Sequence, residues 1–289
     1  MKESQAIKIV NEAIKELKAD IEKGKSENFL KYLDWKAKFH TYSWHNSFLI
    51  MWQRDDATFV KGYKQWEEFG YHVNKGETGI RILAPMLVQY VERVVDGKIV
   101  RIFWKEMTEE ERESDNKHKY LRGFKDVFVF DIKQTNCKEY PTFFVQMGND
   151  YEVSYKSICA AFGNEGFKVV EEECKGQGFV SINKEDKTIH IKQSIDYNNK
   201  LTTLLHELGH KYLQEYEGEY SYKDGELQAE SISYVVSKFI GLKNENSSDY
   251  IINWEGTIEK LKENIHIISE VSNKMMSILE NCNIVELVS

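Results

Sequence analysis

The segment Leu201 to Lys211, L-T-T-L-L-H-E-L-G-H-K, constrains this chain more than any other stretch. His206 and His210 are four residues apart, so on an α-helix both lie on one face. Two imidazoles placed in this way can reach a single metal ion, with Glu207 beside them. Leu201, Leu204, Leu205, Leu208 and Tyr212 recur at helical spacing on a separate stripe. The stripe buries the helix while the histidines face a cleft. Gly209 weakens a helix interior but admits a close neighbour. The competing reading, two histidines on a solvated amphipathic helix, sits poorly with so apolar a segment. A strand-like I-H-I-K at 189 to 192 precedes the helix, and Asp196, Asn198 and Asn199 can cap it.

Two histidines need a third protein ligand, and the next helix offers it. G-E-L-Q-A-E-S (225 to 231) opens an apolar run through Ile232, Tyr234, Val235, Val236, Phe239 and Ile240. Glu226, Ala229, Glu230 and Ser233 share one face of that helix. Glu226 is the preferred ligand, with Glu230 orienting a histidine N–H from behind. The reverse assignment stays open, because both carboxylates project the same way. Two histidines and a carboxylate around Zn2+ leave a fourth position for water, and Glu207 can accept the proton of that water. This is the chemistry of metal-assisted peptide hydrolysis. An oxyanion stabiliser is also required, and Tyr220, Tyr222 and Tyr234 are candidates.

The 289 residues suggest about two domains. Net charge is −8, which argues against a uniformly basic nucleic-acid binder. No run approaches the ~18 apolar residues of a membrane span, and M-K-E-S-Q-A-I-K lacks a signal-peptide core. Cys137, Cys159, Cys174 and Cys282 form no C-x-x-C pair and read as reduced thiols in a cytoplasmic protein.

The first half predicts helices at 4 to 23, 27 to 39 and near 48 to 52. A turn at 73 to 77 and a strand at 80 to 83 follow. A hairpin is expected at 87 to 104 with Asp96-Gly97 at its turn, and a central strand at 124 to 132. The charged run 105 to 119 reads as a solvated, mobile loop. Lys61, Tyr63, Lys64, Trp66, Lys75 and Arg81 interleave rings with cations, as suits single-stranded nucleic acid: rings stack bases and cations follow phosphates. Burial of the same rings in a core is the competing reading. A linker is expected at 137 to 148, and a helix near 154 to 162. A strand pair at 179 to 183 and 188 to 192 turns at Glu185-Asp186, and a long helix carries Ile258 through Leu279. A strand beside the metal helix would offer a rim to which an extended peptide adds.

A family resemblance covers nearly the whole chain. Y-S-W-H-N-S-F-L-I (42 to 50), A-T-F-V-K-G-Y-K-Q-W (57 to 66), V-N-K-G-E-T-G-I-R-I-L-A-P (73 to 85) and V-F-D-I-K-Q-T (129 to 135) resemble the N-terminal domain of ArdC-type antirestriction proteins. H-E-L-G-H (206 to 210), E-L-Q-A-E-S-I-S-Y-V-V (226 to 236) and the 241 to 254 segment are similar to the zincin-like domain that follows in that family. The second half also resembles the ImmA/IrrE group of regulatory metallopeptidases, whose E-x-x-A pattern matches Glu226 to Ala229.

The resemblance implies an α+β chain. N-terminal helices with a small antiparallel or mixed sheet (residues 1–138) would bind single-stranded DNA. A mainly helical zincin-like metallopeptidase domain with a short sheet (residues 139–289) would follow. It implies Zn2+ on His206, His210 and Glu226, Glu207 as base, and protection of incoming mobile DNA from restriction. The other implied function is a regulatory zinc endopeptidase that cleaves a repressor or another protein substrate, its first domain binding a partner.

Overall fold

The computed structural model describes residues 4–138, 150–215, 222–242 and 256–282, the side chains of 222 and 223 excepted. The expected linker lies outside the described residues beyond residue 138. The chain is α+β. Helix α1 (Gln5–Glu22) starts at Ser4, whose hydroxyl accepts from the Ile7 amide, and buries Ala6, Val10, Ala13, Ile14, Leu17 and Ile21. Helices α2 (Glu27–Lys38) and α3 (Trp44–Gln53) complete an N-terminal helical layer. Strand β1 (Val60–Gly62) and helix α4 (Tyr63–Glu68) lead into the long strand β2 (Ile80–Val95). Asp96 and Gly97 both have positive φ, 51° and 77°, as a two-residue hairpin turn requires. Strand β3 (Lys98–Phe103) returns along β2, and β4 (His118–Asp131) pairs on its other side. The order is β1-β4-β2-β3, with β1, β2 and β3 all antiparallel to their neighbours.

Strand β3 covers only the far half of β2, from Tyr90 to Val95. The near half would be an open edge with unpaired amides and carbonyls. Two side-chain amides of α3 close it. Asn46 donates to the Leu83 carbonyl and accepts from the Leu83 amide, both at 2.9 Å. Gln53 does the same for Arg81, at 2.8 and 3.0 Å. Each imitates a neighbouring strand at alternate residues, so the helix takes the place of a fifth strand.

The charged run 105 to 119 departs from the expected loop. Helix α5 (Glu109–Glu113) begins with a capping box between Thr108 and Glu111. Met107 is buried against Val91 and Ile102, and Glu111 binds Arg93 through both carboxylate oxygens. A single apolar side chain and an Arg–carboxylate fork anchor a run that is otherwise solvated.

In the second half α6 (Tyr151–Asn164) precedes a three-stranded sheet of β5 (Lys168–Glu172), β6 (Gly178–Val180) and β7 (Thr188–Lys192) in the order β5-β7-β6. Strand β5 runs parallel to β7 and was not expected from the sequence; β6 is antiparallel to β7. Helices α7 (Tyr197–Leu213), α8 (Tyr222–Phe239) and α9 (Ile258–Asn281) close the structure. Among the described residues, one buried apolar cluster runs from Ala6 to Leu279 and joins the two halves. Tyr234 of α8 donates to Asp34 of α2 at 2.9 Å, and His40 meets Glu280 of α9 at 2.8 Å.

Lys36 of α2 is wholly buried. Its ammonium donates to the carbonyls of His40 (3.2 Å) and Tyr42 (2.7 Å), holding the turn after the helix. Burial pulls its pKa down to about 7, opposed in part by the Glu270 carboxylate. The unfolded chain then binds more protons than the folded one between that value and the usual lysine range, so stability rises with pH across this window. Urea titrations at pH 7.5 and 9.5 should show wild-type stability gaining about 2–3 kcal/mol relative to Lys36→Met. A pH-independent difference would mean that Lys36 titrates normally.

Candidate metal centre

Asp196 caps α7 by accepting from the Asn199 amide at 3.0 Å. The helix buries Leu201, Leu204, Leu205, Leu208 and Tyr212 and leaves His206 and His210 partly exposed on its other side. Helix α8 crosses it where Gly209 meets Ala229. A Cβ built on Gly209 would lie 3.4 Å from the Ala229 Cα and 3.6 Å from its Cβ. This approach brings Glu226 over the two imidazoles.

The three groups converge on one point. His206 Nε2 and His210 Nε2 are 3.0 Å apart. Glu226 Oε2 lies 3.5 Å from His206 Nε2, and its Oε1 lies 3.4 Å from His210 Nε2. Ligands held ~2.0–2.1 Å from a tetrahedral ion lie roughly 3.3 Å from one another. The observed separations bracket that edge length, so the donor set fits a divalent cation. Among the described residues this is the one His/Cys/Asp/Glu cluster with metal-ligand spacing. Glu230 meets the other nitrogen of His206, Nδ1, at 3.2 Å, which turns Nε2 toward Glu226.

The electrostatics follow from crowding. Burial opposes a charge on His206, but hydrogen bonds to Glu226 and Glu230 outweigh it and raise its pKa to about 9. His210 is lowered to about 4, by burial and then by the His206 charge. Glu207 is raised to about 7 by burial, with His206 opposing and Glu226 adding to the rise. A carboxyl poised near neutrality suits proton transfer at physiological pH.

Strand β6 lies against the same helix. A Cβ on Gly178 would fall 2.6 Å from Thr203 Cγ2, 2.8 Å from the His190 carbonyl oxygen and 3.4 Å from Glu207 Cγ. Thr203 donates to Gln177 at 3.1 Å just before the strand. Just after it Lys211 donates to the carbonyls of Asn183 (3.0 Å) and Ser181 (3.4 Å), and Gln214 donates to Ser181 (3.2 Å). The outer edge of β6 pairs with no other described strand. The sequence reading missed this clasp. Its one visible signal is the glycine pair in K-G-Q-G (175 to 178).

Other expected residues fall elsewhere. The Tyr234 hydroxyl is engaged by Asp34, away from the histidines, so it is not available to an oxyanion. Tyr220 and the Tyr222 side chain lie outside the described residues. In the first half Trp66 is only 1% exposed and its Nε1 donates to the Phe130 carbonyl, so its ring packs with Phe59 and Tyr71 rather than facing a base. Tyr63 is half exposed, and Lys64 and Lys75 are exposed. Register places Lys61 opposite Phe130 and Arg81 opposite Phe128 on one sheet face. There Lys61 Nζ lies 4.6 Å from the Phe69 ring centroid, and Arg81 lies over Phe128 at 4.8 Å while pairing with Asp126.

Residues 3–130 match the family model for the N-terminal domain of the anti-restriction factor ArdC. An uncharacterized Bacillus anthracis protein, pXO2-81, is 25% identical over 284 residues, covering 88% of this chain and 47% of its own. The chain thus spans about half the length of the curated relative it matches. Crystal structures of the antirestriction protein ArdC from plasmid R388, one metal-free and one with Mn(II) bound, match with a TM-score of 0.53 and 17% identity. Each match covers 95% of this chain and 97% of that one, and at this identity the likeness shows the fold.

The two glycines respond differently to a methyl group. Gly178→Ala should lower stability by about 1–3 kcal/mol in chemical denaturation, because backbone as well as side chain stands in the way. Gly209→Ala meets ordinary contact distances and gains helix propensity, so it should be neutral or stabilise by up to about 1 kcal/mol. Equal effects would remove the close approach of β6 as a constraint.

Proposed function

We propose that this chain, an ArdC-type protein in its N-terminal domain and its fold, is a mobile-element antirestriction protein that binds single-stranded DNA and carries a zinc metallopeptidase-like site. The division proposed is a DNA-binding domain over 1–138 and a zincin-like domain over 139–289, acting in the cytoplasm. No helix among the described residues is long and apolar enough to cross a membrane. The observation that carries the reading is the meeting of His206, His210 and Glu226 beside a buried Glu207. The Mn(II)-bound structure of the R388 protein supports a metal in this fold. Lys61, Tyr63, Lys64, Lys75 and Arg81 are the cations and ring proposed for DNA contact in the first domain.

His206 Nε2, His210 Nε2 and one Glu226 oxygen would hold the ion, and Glu230 would fix the His206 ring. Zinc in this ligand set supplies a Lewis acid for a carbonyl oxygen and lowers the pKa of water. Glu207 would take the proton of the attacking water and return it to the leaving nitrogen. The outer edge of β6, clasped to α7 beside Glu207, would align an extended peptide by main-chain hydrogen bonds. That edge also favours the second reading, a regulatory endopeptidase of ImmA/IrrE type acting on a repressor or another protein.

Zinc titration calorimetry separates ligand from support. Glu226→Ala should abolish tight binding, whereas Glu230→Ala should weaken it about 10–100-fold. Wild-type affinity should rise as pH increases toward 9, since the His206 proton competes with the metal. Equal losses for the two variants would reopen the choice between the carboxylates.

Glu207→Gln should keep zinc and abolish peptide hydrolysis. Antirestriction that survives this change in a conjugation assay into a restricting host would show that hydrolysis is not its mechanism.

A further inference from the structure

The hairpin arm has two faces of opposite character. Odd-numbered residues of β2 and their partners, Val91 and Ile102 among them, lie under Met107 and α5. On the opposite face Tyr90, Phe103, His118 and Tyr120 come from three adjacent strands. Phe103 is 37% exposed and Tyr120 44%. Neighbouring ring centroids on this face are 5.3–6.3 Å apart and tilted by 31–68°, so no ring is stacked flat on another. Arg101 stands among them, its guanidinium 4.9 Å from the Tyr90 centroid and 5.9 Å from that of Tyr120.

We propose that this face of the arm is a second surface for single-stranded nucleic acid, on which bases stack against Phe103 and Tyr120 while Arg101 meets phosphate. It rests on the single-strand reading of the first domain for its partner, while its position is separate from the Lys61–Arg81 face. Three observations favour this occupant over an apolar protein. The rings are presented by a sheet, whose pleat spaces them as a row of platforms, and every base has a face to stack on them. Arg101 forms no ion pair with a carboxylate among the described residues, although Glu92 lies opposite it in register and is the one acid on this part of the face. The acidic α5 lies on the other side of the arm, where Glu111 is tied to Arg93. Val94 and Ile99, 71% and 70% exposed at the tip, are the feature a second copy of the chain would use instead.

The test is fluorescence anisotropy of the full-length protein with labelled oligothymidine, an abasic strand of equal length and a duplex. Phe103→Ala, Tyr120→Ala and Arg101→Ala are compared with Lys61→Ala, and static light scattering is run on each variant. Phe103→Ala and Tyr120→Ala should each weaken oligothymidine binding about tenfold and leave abasic-strand binding unchanged. Arg101→Ala should weaken both strands and flatten the salt dependence. Unaltered thermal melts are expected, because these side chains are exposed. Loss of binding in Lys61→Ala alone overturns the arm surface and leaves the DNA reading intact. No binding of any single strand by the wild type overturns both. A wild-type dimer that the arm variants dissociate, with no change in DNA affinity, assigns the face to a second copy and overturns the proposal.

Discussion

The close crossing of α7 and α8 is the constraint on which the candidate centre depends. His206 and His210 share a helix face by spacing alone, but Glu226 meets them only because Gly209 faces Ala229. Bulky residues at this crossing would hold helix axes ~8–10 Å apart and carry the carboxylate away from the imidazoles. The same small-residue contact aligns Glu230 with the far nitrogen of His206. One van der Waals contact therefore sets both the separation of the three donor groups and the orientation of one ring.

Polar groups at open strand edges organise the rest. At β2 the edge is closed by two amide side chains from α3, which binds the helical layer to the sheet through directional bonds as well as apolar burial. At β6 the strand is clasped by Thr203, Lys211 and Gln214 on the side facing α7, and its outer edge remains unpaired among the described strands. An edge held rigidly beside a buried carboxylate is a different object from a frayed one. It presents a fixed row of amides and carbonyls at a fixed distance from Glu207.

Side chains whose partners lie far away in sequence were the ones misread. Trp66 has the composition of a base-stacking ring, yet it fills a small core with Phe59, Tyr71 and Ile132. The run 105 to 119 has the charge of a loop, yet Met107 and the Glu111–Arg93 pair fold it onto the hairpin. Tyr234 sits on the helix that carries Glu226, yet its hydroxyl serves the contact with α2. Tyr90, Phe103 and Tyr120 are scattered over thirty positions of sequence and become neighbours only through strand register. Composition records what a side chain can do, and burial decides which of its uses remains.

What the sequence determined by itself is local and periodic. Spacing of four placed two histidines on one helix face, the leucine stripe fixed which side of that helix is buried, and Asp96-Gly97 turned the hairpin. These follow from helix pitch and backbone sterics, which act within a few residues. The tertiary structure decided everything that depends on distance between elements. It set how near α8 comes to α7, which strand lies beside Glu207, and which rings are covered and which are open. Those outcomes are set by close packing and by the need to pair every buried polar group, and both are properties of the whole chain rather than of any segment.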